Sequence, residues 1–154
     1  MKVIFLDIDG VLNCQASGAQ HRGGIGIEPE NVKHLAHIVE NTGAVIVLTS
    51  TWKLHWSKNK DNQHPSGAYV DQMLSEFGLT VLDKTPLGVS QRGAGIQKYL
   101  EEHSVDSWVV LDDEIFPDFE QYGILSRLVK SSFYKEGLTH ELSQEAIKIL
   151  NGEK

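Results

Sequence analysis

The chain has 154 residues, which suits one domain with a buried core, and we expect a single domain over 1–154. Its 40% hydrophobic and 23% charged residues are typical of a globular protein. The formal charge of −7 argues against broad coating of nucleic acid, although it is compatible with a local basic groove. A single cysteine, Cys14, cannot form an internal disulfide. With no signal-peptide pattern or membrane-length apolar run, these features predict a cytoplasmic protein.

The first predicted strand is Val3–Leu6, a short apolar run that leads directly into two aspartates. Asp7 and Asp9 occupy alternate positions, so on an extended backbone their side chains share a face. Gly10 lets the chain bend away after them. Two carboxylates so close repel each other and favour a bound cation or a shared proton, although a strand ending in an acidic turn is the simpler interpretation.

Between this strand and the next helix, Cys14–Ile27 carries four glycines among small polar residues, which predicts a loop or a loose hairpin over the aspartates. Glu28-Pro29 then opens a helix that ends at Gly43. His34 and His37 lie off its apolar stripe. Such a pair can bind metal, but without a third ligand nearby we interpret it as polar surface.

The second strand, Ala44–Leu48, is strongly apolar and is predicted to lie centrally in a sheet. Thr49, Ser50 and Thr51 follow it. These hydroxyls either bind a phosphate or cap the next helix, and the two interpretations are compatible.

The segment Trp52–Gly67 mixes tryptophans with lysines before a polar run. Aromatic and basic side chains together can bind single-stranded nucleic acid. The favoured alternative is a solvated loop with Trp52 or Trp56 packed into the core.

The remaining pattern alternates helices and strands. The expected elements are a helix containing Val70–Phe77, a strand Leu79–Leu82, a turn Asp83–Gly88, a helix Gln91–His103, a strand Ser107–Leu111, an edge strand Ser126–Lys130 and a closing helix that includes Leu142–Leu150. This alternation predicts an α/β fold with a parallel sheet covered on both faces. Asp7, Asp9, Thr49, Asp112 and Asp113 then all fall at carboxyl ends of strands, where such sheets bind ligands.

Four segments in order resemble the motifs of the haloacid dehalogenase (HAD) superfamily. They are the sequence DIDGVLN at Asp7–Asn13, the apolar run ending in Thr49-Ser50-Thr51, Arg92, and the pair Asp112-Asp113. The resemblance implies a Rossmann-like domain of about five strands, and Cys14–Ile27 is too short to hold a large cap domain. The details LTSTWK, Arg92–Ile96 and VLDD most resemble the small HAD domains associated with RNA-repair proteins.

The resemblance implies that the protein is a Mg²⁺-dependent phosphomonoesterase. Asp7 is the implied nucleophile and Asp9 the general acid and base. The implied metal ligands are the Asp7 side chain, the Asp9 main-chain carbonyl and one of Asp112 and Asp113. We favour Asp113 as the direct ligand, with Asp112 orienting water or Arg92.

The implied phosphate ligands are Thr49, the Ser50 backbone and Arg92. The expected substrate is a terminal phosphate of a nucleotide or polynucleotide, entering beside Trp52–Lys60. A phosphatase of small metabolites and a non-catalytic phosphate-binding module remain alternatives. A two-metal nuclease also uses clustered aspartates, but it does not require Thr49 and Arg92.

Overall fold

The computed structural model describes residues 1–87 and 91–153. The elements along the chain are β1 (Lys2–Leu6), β2 (Gln20–His21), β3 (Gly24–Ile25), α1 (Pro29–Thr42), β4 (Val45–Leu48), α2 (Pro65–Ser75), β5 (Val81–Lys84), α3 (Arg92–Glu102), β6 (Ser107–Asp112), β7 (Leu128–Lys130) and α4 (His140–Leu150). Two short 3₁₀ turns, Thr51–Leu54 and Leu125–Arg127, precede α2 and β7.

Five of the described strands form one parallel sheet in the order β5-β4-β1-β6-β7. The central strand is β1, whose Val3–Leu6 are fully buried. Along the chain, the strands first extend from β1 to β4 and β5, and then cross back to β6 and β7 on the other side. The strand order therefore reverses at β1, and its carboxyl end is where a ligand is expected.

Helices cover both faces of the sheet. Alternate residues of β1 point to opposite faces, so each face contributes apolar side chains to a separate cluster. Ile4 and Leu6 pack into a cluster with residues of α1, α2 and α4. Val3 and Phe5 pack on the other face against Ile96 and Tyr99 of α3. This arrangement confirms the predicted α/β fold.

Several predicted boundaries shift by a few residues. The strand expected at Leu79–Leu82 is Val81–Lys84, because Leu79 instead closes the end of α2 by donating its N–H to the Leu74 carbonyl. The expected edge strand is shorter, since a 3₁₀ turn occupies Leu125–Arg127. Of the turn expected at Asp83–Gly88, the first two residues belong to β5 and Gly88 lies outside the described residues.

The predicted loop Cys14–Ile27 contains a small antiparallel hairpin, β2–β3. The HAD superfamily that the sequence resembles often inserts a cap domain at this position, and two strands of two residues each are too small to form one, which agrees with the capless domain that the resemblance implies. No helix in residues 1–87 or 91–153 is both long and apolar enough to cross a membrane.

Candidate active site

The carboxyl ends of the central strands are held together by backbone hydrogen bonds that continue the sheet beyond the strands. The Asp7 N–H donates to the Leu111 carbonyl at 3.0 Å, and the Thr49 N–H donates to the Leu6 carbonyl at 2.9 Å. Asp7, Thr49 and Asp112 are thereby fixed at one edge of the sheet, as the sequence predicted.

Three carboxylates converge at this edge. One oxygen from each of Asp7, Asp112 and Asp113 lies within 4.8 Å of the others. Burial, followed by repulsion from Asp112, raises the pKa of Asp7 well above its ordinary value. Burial also raises the pKa of Asp112. Clustered carboxylate oxygens with little water suit a hard divalent cation, so this donor set fits Mg²⁺.

Arg92 supplies positive charge to the same cluster. Its Nη1 donates to Asp112 Oδ2 at 2.8 Å and lies 3.3 Å from Asp7 Oδ1. The guanidinium also lies 4.3 Å from the centre of the Phe116 ring, which fixes its plane. Arg92 is the first residue of α3, where a cation is normally disfavoured, and the two facing carboxylates explain its position.

The start of α3 is capped by Asp118, a residue that sequence reasoning missed. Its carboxylate accepts hydrogen bonds from the Gly93 N–H at 3.1 Å and the Ala94 N–H at 2.8 Å. A Cβ atom at Gly93 would lie 2.5 Å from Asp118 Oδ1, so this close approach requires glycine. The cap comes from 25 residues further along the chain, and no local pattern could have indicated it.

Thr49 has the property expected of a ligand-binding hydroxyl. It is 3% exposed, and its Oγ1 is the one buried side-chain polar atom without a hydrogen-bond partner among the described residues. Thr49 and Arg92 line the same pocket, of about 430 Å³. An unpaired buried hydroxyl is costly, and an oxygen-rich ligand in this pocket would satisfy it. The Ser50 hydroxyl instead accepts from the Trp52 N–H, so it caps the 3₁₀ turn.

Lys53 lines this pocket as well, although its sequence context suggested a more distant role in nucleic-acid binding. Its Nζ donates to Thr85 Oγ1 at 2.8 Å. Burial, followed by repulsion from Arg92, lowers the pKa of Lys53. Two cationic side chains therefore border the space next to Thr49, as an anionic ligand requires.

Asp9 stands apart from the three-carboxylate cluster. It is exposed, and its oxygens accept hydrogen bonds from Asn13 Nδ2 at 2.9 Å and from the Trp52 indole at 3.0 Å. Asp9 and Trp52 both line a second, open pocket of about 840 Å³. Asn13, which is fully buried, also accepts from the Gly10 N–H. The sequence placed Trp52 beside the entry of the substrate, but it did not indicate that Asn13 and Trp52 hydrogen-bond to Asp9.

Most of the aromatic and basic segment after Trp52 has structural partners. Trp56 is 2% exposed and donates to Asp71 at 2.8 Å, which confirms the packed alternative for this residue. Lys60 pairs with Asp71 at 2.9 Å, and Lys58 lies 3.4 Å from Asp83. These lysines are therefore less available to a nucleic acid than the sequence suggested.

The pair His34 and His37 does gain a third histidine in the fold, His140 of α4, with ring centres 6.2 and 5.2 Å away. Gln144 lies within hydrogen-bond distance of both His37 and His140. The ring nitrogens of these histidines are not close enough together to hold a metal ion. In the described part of the chain, the carboxylate oxygens of Asp7, Asp112 and Asp113 are close enough.

Comparison with known proteins agrees with this geometry. A protein-family model described as "HAD domain in Swiss Army Knife RNA repair proteins" matches residues 3–142, which is most of the chain. Neither the curated proteins nor the solved structures that were compared contain a match. At the level of the family, the match supports a phosphatase-type hydrolase. The chain belongs to the family of HAD domains found in Swiss Army Knife RNA repair proteins.

Proposed function

We propose that this protein is a Mg²⁺-dependent phosphomonoesterase that forms an aspartyl-phosphate on Asp7 and acts on terminal phosphates of nucleotides or polynucleotides. The main support is the position of Asp7, whose carboxylate lies 3.3 Å from Arg92, while Arg92 shares its pocket with the unpartnered hydroxyl of Thr49. A nucleophile, a charge-neutralising cation and a vacant donor are thus assembled at one strand end.

In the first step, a carboxylate oxygen of Asp7 attacks phosphorus and the bond to the leaving oxygen breaks. Arg92 and Lys53 neutralise the phosphate oxygens, and the Thr49 hydroxyl donates a hydrogen bond to one of them. Asp9 acts as the general acid that gives a proton to the leaving oxygen. The contacts from Asn13 and Trp52 hold the Asp9 carboxyl in one orientation at the open pocket.

In the second step, Asp9 accepts a proton from a water molecule that attacks the phosphorus of the aspartyl-phosphate. The bond between phosphorus and the Asp7 oxygen breaks, which releases inorganic phosphate and restores the Asp7 carboxylate. One group thereby acts first as acid and then as base.

The side chains of Asp7, Asp113 and Asp112, together with the Asp9 main-chain carbonyl, are the candidate ligands for Mg²⁺. Asp113 is favoured as a direct ligand, because Asp112 is already engaged by Arg92. The ion would supply positive charge that reduces repulsion between the Asp7 carboxylate and the phosphate.

The preference for a nucleotide or polynucleotide end rests on the family and on the open pocket beside Asp9. A site without a cap can admit a large leaving group, and a terminal monoester leaves an oxygen that Asp9 can protonate. A phosphatase of small metabolites is the alternative, favoured if sugar phosphates are hydrolysed as efficiently as nucleotides.

The experiment is hydrolysis of para-nitrophenyl phosphate by the purified protein in Mg²⁺ and in EDTA, together with the Asp7→Asn variant. We expect Mg²⁺-dependent turnover that is lost in Asp7→Asn, with an unchanged circular dichroism spectrum. Brief reaction and acid quenching should also trap a phosphoenzyme that hydroxylamine cleaves, as expected of an acyl phosphate.

Near-normal rates in the Asp7→Asn variant would exclude covalent catalysis by this residue. Full activity in EDTA after dialysis would exclude the metal requirement. Binding of phosphate esters without any turnover would favour a non-catalytic module.

A further inference from the structure

The turn of the β2–β3 hairpin is strained at an arginine. Only Arg22 and Gly23 separate the paired residues His21 and Gly24. Both have positive φ, +52° for Arg22 and +83° for Gly23, as in the type I′ turns of tight hairpins. Asparagine, aspartate or glycine normally occupies the first of these positions, yet Arg22 is the one non-glycine residue with positive φ in the described part of the chain.

Backbone strain at a non-glycine residue is often found at functional sites, and the surroundings of Arg22 indicate a ligand-binding function for its side chain. Arg22 lines the open pocket of about 840 Å³ that also contains Asp9 and Trp52. Within residues 1–87 and 91–153 it makes no ion pair, whereas Arg92 contacts two carboxylates. Its exposed guanidinium is therefore available to a ligand in this pocket.

The lining of this pocket has one permanent cation, Arg22, and one carboxylate, Asp9. His21, His55 and His64 add polar ring nitrogens, and partial desolvation lowers the pKa of His21 and His64. Aromatic and apolar side chains, including Trp52 and Phe133, form much of the remaining wall. Such a surface suits a ligand that combines a planar ring with negative charge.

The hairpin is firmly attached, so Arg22 is held over the pocket. The His21 ring stacks on the Tyr69 ring of α2, with centres 4.1 Å apart and planes 10° apart. His21 Nε2 lies 3.0 Å from Ser66 Oγ, and the Tyr69 hydroxyl accepts from the Ile27 N–H at 2.9 Å. A Cβ atom at Gly26 would lie 2.5 Å from that hydroxyl, which keeps the chain close to α2.

From this geometry we infer that Arg22 determines specificity by binding a second phosphate on the substrate, the internucleotide phosphate adjoining the terminal phosphate that Asp7 attacks. The guanidinium offers paired donors that match phosphate oxygens, and the aromatic wall contacts the intervening nucleoside. This inference rests on the proposed function. It makes the preferred substrate the end of an oligonucleotide, rather than a mononucleotide or a sugar phosphate.

The test uses the variant Arg22→Asn, because asparagine suits the left-handed backbone and removes only the guanidinium. Lys98→Gln, on the exposed side of α3, is the control for loss of one positive charge. Binding is measured by fluorescence anisotropy in the Asp7→Asn background. The probes are a labelled trinucleotide with a terminal phosphate, and the same molecule with an uncharged methylphosphonate in place of the adjoining internucleotide phosphate.

We expect Arg22→Asn to weaken binding of the charged trinucleotide about tenfold or more. Its plot of log affinity against log salt should be shallower by about 0.7, which corresponds to one phosphate contact. The methylphosphonate should bind the Arg22 protein and the Arg22→Asn protein equally. The melting temperature of Arg22→Asn should be unchanged or higher, since the turn is relieved of strain.

The inference would be overturned if Arg22→Asn weakened binding of both probes equally or weakened binding of neither. A lower melting temperature of Arg22→Asn would also overturn it. Because binding is read in a protein without its nucleophile, these outcomes are independent of turnover. Failure of the parent protein to hydrolyse para-nitrophenyl phosphate would count against the proposed function, and not against the role of Arg22.

Discussion

At the scale of single residues, the hydroxyl of Thr49 illustrates a conflict between stability and ligand binding. A buried polar atom without a partner destabilises the fold by about 1–3 kcal/mol, and the cost is recovered only when a ligand binds. We therefore expect Thr49→Val to raise the free energy of unfolding by about 1 kcal/mol, while it raises KM for a phosphate ester. Denaturant unfolding and steady-state kinetics measure the two effects.

Thr85→Val is the matched control, since Thr85 is equally buried but its Oγ1 accepts from Lys53 and lies 3.4 Å from the Leu48 carbonyl. This variant removes the shorter of the two hydrogen bonds that the partly buried Lys53 ammonium donates, and it should lose about 1–3 kcal/mol of stability. A similar loss of stability in both variants would mean that the Thr49 hydroxyl has a structural partner after all.

Gly10 leaves the space that the Asp113 carboxylate occupies beside the site. Its φ is +84°, and an added Cβ atom would come within 2.2 Å of Asp113 Oδ2. We expect Gly10→Ala to lose about 1–2 kcal/mol of stability from the backbone alone, and to weaken activation by Mg²⁺ because Asp113 is displaced. A Mg²⁺ titration of activity measures the second effect.

Gly43→Ala is the control that separates the loss of stability caused by the backbone from the effect of displacing Asp113. Gly43 has a φ of +71°, but an added Cβ atom would meet nothing within 4 Å. The control should lose similar stability and keep the Mg²⁺ titration of the parent. Should Gly10→Ala also keep that titration, the close approach of Gly10 to Asp113 is unimportant for the metal.

At the scale of elements, Asp71 ties the segment after Trp52 to α2. Its carboxylate accepts from the Trp56 indole and from Gln63, both at 2.8 Å, and pairs with Lys60. Burial alone would raise the pKa of Asp71, but the hydrogen bonds from Gln63, Trp56 and Lys60 lower it overall. We expect Asp71→Ala to lose about 1–3 kcal/mol at pH 7.

The sign of the pH dependence follows from the lowered pKa. The ionised carboxylate stabilises the fold above the ordinary pKa of about 4, and this contribution is lost as the pH falls through the lower pKa of the folded state. The difference in unfolding free energy between the parent and Asp71→Ala should therefore shrink at acid pH. A difference that stays constant from pH 7 to pH 3 would show that Asp71 acts through packing and not through its charge.

The same segment shows where sequence reasoning stops. The strand-end positions of Asp7, Thr49, Asp112 and Asp113 followed from local periodicity, because parallel strands present their carboxyl ends together. The partners of Lys58, Lys60 and Trp56 depend on Asp71 and Asp83, which the sequence alone does not place opposite them. Asp118 at the start of α3 was hidden for the same reason.

At the scale of the whole molecule, the sheet concentrates negative charge at its carboxyl edge. Asp7 and Asp112 are buried, and Arg92 offsets only part of the repulsion between Asp7, Asp112 and Asp113. The fold holds these carboxylates together against their repulsion, whereas an unfolded chain would let them separate. A cation that binds the cluster should therefore stabilise the folded state as a whole.

We accordingly predict that Mg²⁺ raises the melting temperature, with Ca²⁺ less effective because it favours a larger and less regular site. At a concentration 100 times its dissociation constant, the stabilisation should be about 2.7 kcal/mol. In a protein of this size that corresponds to a shift of roughly 5–10 °C by differential scanning calorimetry. The shift should be much smaller in Asp113→Asn and normal in Asp61→Asn, which removes the same charge from an exposed position. Potassium chloride at matched ionic strength controls for general screening of charge. An equal Mg²⁺ shift in all three proteins would place the cation elsewhere, and no shift in the parent would remove the carboxylate cluster as a metal site.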